Sequence, residues 1–406
     1  MPPLTSFPPR APIAVFLAGL AAALHIGKIP PAIAVLRDAL GVSLVEAGFL
    51  LSAVQLAGML LGVLVGALAD GFGLRRTMLY GLGVLCVASL AGVWARHPAD
   101  LLALRALEGL GFLCVVLPAP SLIRQLVPAA RLPAFMGLWG AYMPAGVALA
   151  LLAGPVAMGL WSWQAWWGLL GVLAGCAGLW LALAVAPDAR RATVARPRTD
   201  PPSPAVVVLA RRLRLTLASP GPWVVAVAFG MYSCQWLAVI GFLPSIYMQA
   251  GVGGVAAGAL TALACAANVV GNLGAGGLMR AGWRTHILLS LGFGGTALAT
   301  VVAFSPLAGD GAVLRFAAVV AFSAVGGMIP ATLFALAVRV APSEHTVSTT
   351  MGWVQQCSAC GQFLGPPLVA WVAGLAGGWH FTWAVTCVAS VVGLGLSWWV
   401  RRQHPA

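Results

Sequence analysis

The chain has 406 residues, of which 61% are hydrophobic and 8% charged, and its mean hydropathy is +0.97. That composition excludes a soluble globular domain and requires a lipid environment. The net charge of +13 does not indicate nucleic acid, because the arginines fall between apolar stretches and alternate in density from break to break.

Twelve apolar stretches, each long enough to cross a bilayer at roughly 20 residues, are predicted at 12–34, 44–69, 76–95, 100–124, 134–159, 164–186, 220–248, 254–279, 284–305, 311–338, 347–374 and 379–400. Backbone groups in lipid must be satisfied internally, and no ten-residue alternation is present, so helices are expected and a barrel is not. The first stretch is too long for a cleavable signal. The expected fold is therefore an all-α integral membrane protein of twelve transmembrane helices in two pseudo-symmetric six-helix bundles. These bundles are residues 1–186 and 220–406, with 187–219, rich in Pro and Arg, as a cytoplasmic linker between them.

The first stretch carries the chain's one lysine, Lys28, about two thirds of the way along, with His25 one turn earlier and Pro30-Pro31 following. An ionisable group inside lipid costs roughly 2.5–3.5 kcal/mol on insertion scales, so each is a functional candidate. The competing reading ends the helix at Pro30 and lets Lys28 reach the outer interface. The second stretch ends in Gly66-Ala67-Leu68-Ala69-Asp70-Gly71-Phe72-Gly73-Leu74-Arg75-Arg76. This run resembles the major facilitator superfamily signature G-x-L-a-D-r-x-G-r-r between helices two and three. Gly71 and Leu74 depart from its basic positions. The resemblance implies a secondary transporter and gives Asp70, Arg75 and Arg76 a gating role.

The fourth stretch reads R-x-x-E-G-x-G at Arg105, Glu108, Gly109 and Gly111. It resembles the superfamily motif R-x-x-q-G-x-g, whose arginine is tied to substrate or proton handling. Glu108 faces Lys28 and Arg105 and is the candidate proton carrier. Arg315 opens the tenth stretch as Arg105 opens the fourth. Each is followed by a proline, Pro118 or Pro330, and Gly154-Pro155 and Gly365-Pro366 recur in the fifth and eleventh stretches, so the halves repeat one another. Lys28, Arg105 and Arg315 at similar depth predict a positive central cavity that prefers a small anion. Tyr232, Gln235, Trp236, Asn268 and Gln355 add orienting amides and aromatic walls for a small ligand. Gln356 and Asn272 extend the same set.

Met136-Gly137-Leu138-Trp139, Trp166-Trp167 and the run Trp236 to Tyr247 resemble the cyanate permease family of bacterial transporters. Arginines in every second loop, by the positive-inside rule, put both termini and the central linker in the cytoplasm of a bacterial inner-membrane protein. All eight cysteines fall in predicted helices, and Cys357 and Cys360 read as helix neighbours without a partner pair. No phosphate loop, metal-ligand cluster or nucleophile–base set is visible, so neither an enzyme nor a cofactor is expected. The expectation is a monomeric secondary transporter of a small anionic substrate, with protons and the bilayer as its other partners and symport as its mode. A multidrug/proton antiporter is the alternative, and a non-transporting membrane sensor or lipid-handling protein is the alternative of another class.

Overall fold

The computed structural model describes residues 10–128, 131, 135, 138–139, 142–188, 205–309, 311–343 and 346–403, with the side chains of 66–71, 205–206, 208–209, 308 and 348 outside that description. Among the described residues, twelve helical spans are long and apolar enough to cross a membrane. They are Arg10–Leu40, Leu44–Val65, Leu74–Trp94, Pro98–Leu126, Tyr142–Leu160 and Trp163–Ala184, then Pro220–Gln249, Gly254–Arg280, Thr285–Phe304, Ala312–Val340, Thr349–Ala376 and Trp379–Gln403. They match the expected stretches to within a few residues, apart from a longer first span and a later start to the fifth.

The first span does not end at Pro30. Pro30 and Pro31 lack N–H groups, so the helix tightens into a 3-10 turn over Pro30–Ala32 and resumes over Ile33–Leu40. Ala32 N–H bonds to Ile29 O at 2.8 Å, which leaves the Lys28 carbonyl to accept from Trp166 Nε1 of the sixth span at 3.4 Å. The proline pair therefore keeps Lys28 in the middle of a continuous span. The second span has a similar break over Ala53–Gln55 and its helix continues to Phe72. The turn into the third span is a single residue, Gly73, whose φ of +107° suits glycine alone.

The first span packs on the fifth and sixth, the third on the fourth and sixth, and the second on the fourth. In the later spans the seventh packs on the eleventh and twelfth, the ninth on the tenth and twelfth, and the eighth on the tenth. The second span lies along the eleventh and the fifth along the eighth. In the first and seventh spans 72% of the apolar window is buried, against 33–50% in the others, so these two stand innermost. Glycines set the approach, as small residues do where lipid supplies no drive for helices to associate. A Cβ on Gly365 would collide with the Cys234 carbonyl, and one on Gly361 with that of Gly230, so the eleventh span lies against the backbone of the seventh.

Between the sixth and seventh spans lies a helix that the sequence reading treated as plain linker, Ala205–Ala218. Its apolar residues recur at helical spacing around Arg211, Arg212 and Arg214.

Candidate functional site

Four buried ionisable side chains meet among the first six spans. Lys28, His25, Arg105 and Glu108 are each at most 1% exposed. The glycines of the fourth-span motif explain how they converge. A Cβ on Gly109 would collide with the Val54 carbonyl of the second span, and one on Gly111 with the Gly81 carbonyl of the third. Gly27, beside Lys28, likewise lets the first span touch Val147 and Ala150 of the fifth. Small residues thus bring three helix backbones around the Arg105–Glu108 turn.

Glu108 is gripped from two sides. Lys28 Nζ donates to its Oε1, and Arg105 Nη1 donates to its Oε2 at 2.6 Å. Lys28 also donates to Ser89 Oγ at 3.1 Å and sits 4.7 Å from the Trp167 ring centroid, a cation–π contact. Ser89 in turn donates to Trp167 O at 2.9 Å. Arg105 fastens the fourth span to two others, with Nη1 on His25 O at 2.7 Å and Nε on Leu50 O at 3.1 Å. His25 Nδ1 lies 3.5 Å from Glu108 Oε1. Among the described residues, neither His25 ring nitrogen nor Arg105 Nη2 has a hydrogen-bond partner. Leaving His25 aside, two cations and one carboxylate leave a single net positive charge in a site with no exposed charged side chain.

Lys28, His25, Arg105 and Glu108 are therefore brought together, and Arg315 is not. Its guanidinium donates to Ala303 O at 2.8 Å, Ser305 O at 3.3 Å and Gly309 O at 2.9 Å. It closes the carbonyl end of the ninth span, a position that favours a cation. The expected trio of cavity cations is thus a pair, and the repeat mate of Arg105 serves a loop.

The amides and aromatics form a separate neutral network. Asn268 Nδ2 donates to Tyr232 Oη at 2.8 Å and to Ser323 O at 2.9 Å, and Trp236 Nε1 reaches Ser323 Oγ at 3.5 Å. Gln235 accepts from Ser390 Oγ at 3.2 Å, while its own Nε2 is buried without a partner among the described residues. Gln355 is exposed and stands outside this network, whereas Gln356 donates to Met59 O at 2.7 Å.

Asp70 lies outside the described side chains. Arg75 and Arg76 meet a different acid, since their backbone N–H groups donate to Asp188 Oδ1 and Oδ2 at 3.1 and 3.0 Å. Asp188 caps the third span from just beyond the sixth, and Arg75 Nη2 bonds Ala182 O at 2.8 Å. Neither Asp188 nor Ser89, a hydroxyl in an apolar stretch, was among the expected site residues. A further unexpected contact joins the second and eleventh spans, where Gln55 Nε2 donates to Gln362 Oε1 at 3.0 Å. Gln362 continues to Ser358, which pairs with Ser233 at 2.7 Å.

A family model described as Major Facilitator Superfamily matches residues 13–355. An uncharacterized MFS-type transporter of Mycobacterium tuberculosis is 31% identical over 125 residues, which are 31% of this chain and 21% of that relative. The puromycin resistance protein of Streptomyces alboniger is 36% identical over 130 residues, 32% of this chain and 25% of that protein. The matched stretches thus span only a fifth to a quarter of these relatives' length. Among solved structures, a bacterial homolog of the human lysosomal transporter Spinster has the same fold. Its inward-facing unoccupied form gives a TM-score of 0.78 at 15% identity, covering 99% of this chain and 100% of that one. Its occupied form gives 0.79 at 15% identity, covering 98% and 99%.

Proposed function

The chain belongs to the major facilitator superfamily of transporters, and from that premise we propose that it moves a small solute bearing an anionic group across the bacterial inner membrane by alternating access, in symport with protons. One observation carries this reading: Lys28 and Arg105 each hold one oxygen of the same buried carboxylate, that of Glu108. This is how a lysine and an arginine would grip a ligand carboxylate, with the protein's own acid in the ligand's place. A proton on Glu108 discharges it and releases both donors. A substrate carboxylate then replaces it, with Arg105 Nη2 supplying a second donor for a planar fork. Proton and anion enter together because a proton alone leaves both cations unpaired, while an anion alone finds both donors already held by Glu108. In a low-dielectric site that pairing is worth far more than at a surface.

The same proposal assigns residues 1–186 and 220–406 to two rocking halves and 187–219 to a cytoplasmic linker, supported by the weak internal repeat and the arginine-rich even loops. It takes the protein as a monomer with both termini cytoplasmic, allied to the cyanate permeases by Met136–Trp139, Trp166–Trp167 and Trp236–Tyr247. Tyr232, Gln235, Trp236 and Asn268 supply the substrate's neutral contacts.

The test is uptake into liposomes of the purified protein under an imposed pH gradient, across small carboxylates, other small anions, neutral solutes and cationic drugs. Wild type should accumulate an anion when the gradient is inward. Glu108→Gln should lose that accumulation and keep downhill exchange, whereas unchanged pH dependence would remove Glu108 as the carrier. A drug/proton antiporter is the second reading, favoured by the stretch similar to the puromycin resistance protein. Counterflow of cationic drugs without anion uptake would establish it instead.

A further inference from the structure

A proton on Glu108 creates a donor where the resting site has none. A carboxylate only accepts, whereas a carboxylic acid carries an O–H that must find an acceptor once it is buried. The two side chains that hold Glu108 cannot supply one, because an ammonium and a guanidinium have donors alone. The oxygens around them already serve the same cations. His25 O and Leu50 O accept from Arg105, and Ser89 Oγ accepts from Lys28.

The His25 ring is the exception. It is buried on the first span, one turn before Lys28, and its Nδ1 stands 3.5 Å from Glu108 Oε1. Neither ring nitrogen has a hydrogen-bond partner among the described residues, a costly state for a buried polar group. Arg105 fixes the arrangement, since its Nη1 bonds both the Glu108 carboxylate and the His25 carbonyl. The charged groups facing the ring are Lys28 of its own span and Arg105 and Glu108 of the fourth. The third span brings Ser89 to the site and the sixth brings Trp166 and Trp167. Within Tyr142–Leu160 and Trp163–Ala184 there is no Lys, Arg, His, Asp or Glu, and Tyr142 of the fifth span lies against Gly19 and Trp139 instead.

We propose that His25 is the positioning residue of the proton step: its Nδ1, with the ring hydrogen on Nε2, accepts the O–H of protonated Glu108. This rests on Glu108 as the proton carrier. A lone pair at Nδ1 is what a proton arriving on Oε1 can use, whereas an N–H there would face the new O–H donor to donor. Closing the 3.5 Å gap to a hydrogen bond of about 2.8 Å draws Oε1 off the ammonium, so protonation of Glu108 and release of Lys28 become one movement. The nitrogen that is idle at rest is thus the one used when the site discharges.

The experiment is infrared difference spectroscopy of the full-length protein between neutral and acid pH, in a detergent without carbonyl groups and with chloride as the anion. Wild type should show the carbonyl stretch of one protonated carboxyl that Glu108→Gln lacks. In His25→Phe, and in the smaller His25→Val, that stretch should move to higher frequency, as for an acid O–H with no acceptor. The ratio of protonated to ionised Glu108 at a fixed acid pH should fall about 2- to 10-fold, the loss of one hydrogen bond to the neutral form. His25→Asn, whose amide oxygen can stand where Nδ1 does, should restore both to near wild type. A band unmoved in both apolar variants would overturn the assignment. So would a raised ratio in either, which would make Nδ1 a donor to the ionised carboxylate. A His25→Asn spectrum like that of the apolar variants would overturn it too, because the basicity of the ring and not its lone pair would then be needed. Absence of any Glu108 band in wild type would instead overturn it through the proton step itself, so the two failures are told apart.

Discussion

Replacing Glu108 by Gln and Lys28 by Met should have unequal costs, although each deletes one partner of the same contact. The wild-type site holds two cations and one carboxylate, all buried. Glu108→Gln leaves Lys28 and Arg105 facing each other without a counter-charge. Lys28→Met leaves the Arg105–Glu108 pair closed at 2.6 Å. Coulomb's law at that distance, with an effective dielectric constant of about 20, gives roughly 6 kcal/mol of attraction before desolvation is subtracted. Stripping a buried cation of its partner costs about 3–5 kcal/mol net, and that is the expected loss for Glu108→Gln. Lys28→Met should cost about 1–3 kcal/mol, the penalty of one carboxylate oxygen and the Ser89 hydroxyl losing a partner. The double variant restores the wild-type net charge, with Arg105 still bonded to His25 O and Leu50 O. It should therefore be more stable than Glu108→Gln alone, a coupling of at least about 1.5 kcal/mol. Thermal inactivation midpoints in one detergent, ranked for the four proteins, provide the assay. Strict additivity, or a Glu108→Gln midpoint equal to wild type, would refute a buried charge-paired site.

Two further outcomes follow from the packing and the topology. Gly109→Ala should lower the inactivation midpoint by the equivalent of about 1–3 kcal/mol, because its methyl would meet the Val54 carbonyl and not a yielding side chain; a midpoint within error of wild type would mean that the fourth span can back away. Cysteines placed at Thr199 and Gln403 should resist impermeant thiol reagents in intact cells, and labelling of either would reverse the proposed orientation.

The twelve spans and the charged site were legible for one reason: lipid penalises both polar backbone and ionisable side chains. Lys28, Arg105 and Glu108 therefore stood out without any knowledge of packing. What could not be read was which partner each would find. Arg315 has the same repeat position as Arg105, yet its partners are carbonyls at the end of the ninth span, and a carbonyl has no sequence signature. Ser89 and Gln55 matter because helix rotation turns them toward Lys28 and Gln362, and a single hydroxyl or amide in an apolar stretch does not reveal its rotation. Asp188 lies 113 residues from Arg75, so no local pattern links them. The helix Ala205–Ala218 was hidden in an arginine-rich segment whose composition argued for linker.

The placement of these groups separates strong contacts from weak ones. Among the described residues, the buried ion pairs lie wholly within the first six spans. The last six are joined by hydroxyls and amides, as in Thr386 to Thr300 at 2.9 Å, Ser290 with Ser397 at 2.8 Å and Ser390 to Gln235. The seam between the second and eleventh spans is also neutral, at Gln55–Gln362 and Gln356–Met59 O. A neutral hydrogen bond contributes about 0.5–1.5 kcal/mol net and can be replaced by water or by a neighbouring acceptor. A buried ion pair opened without a substitute costs several times that. In the proposed alternating-access cycle the seam therefore parts first and the charged site stays closed. It opens only when a proton reaches Glu108 and a ligand anion takes its place. Arg105 then transmits the exchange, because the guanidinium that holds Glu108 also holds Leu50 O, less than two turns before Gln55 on the second span.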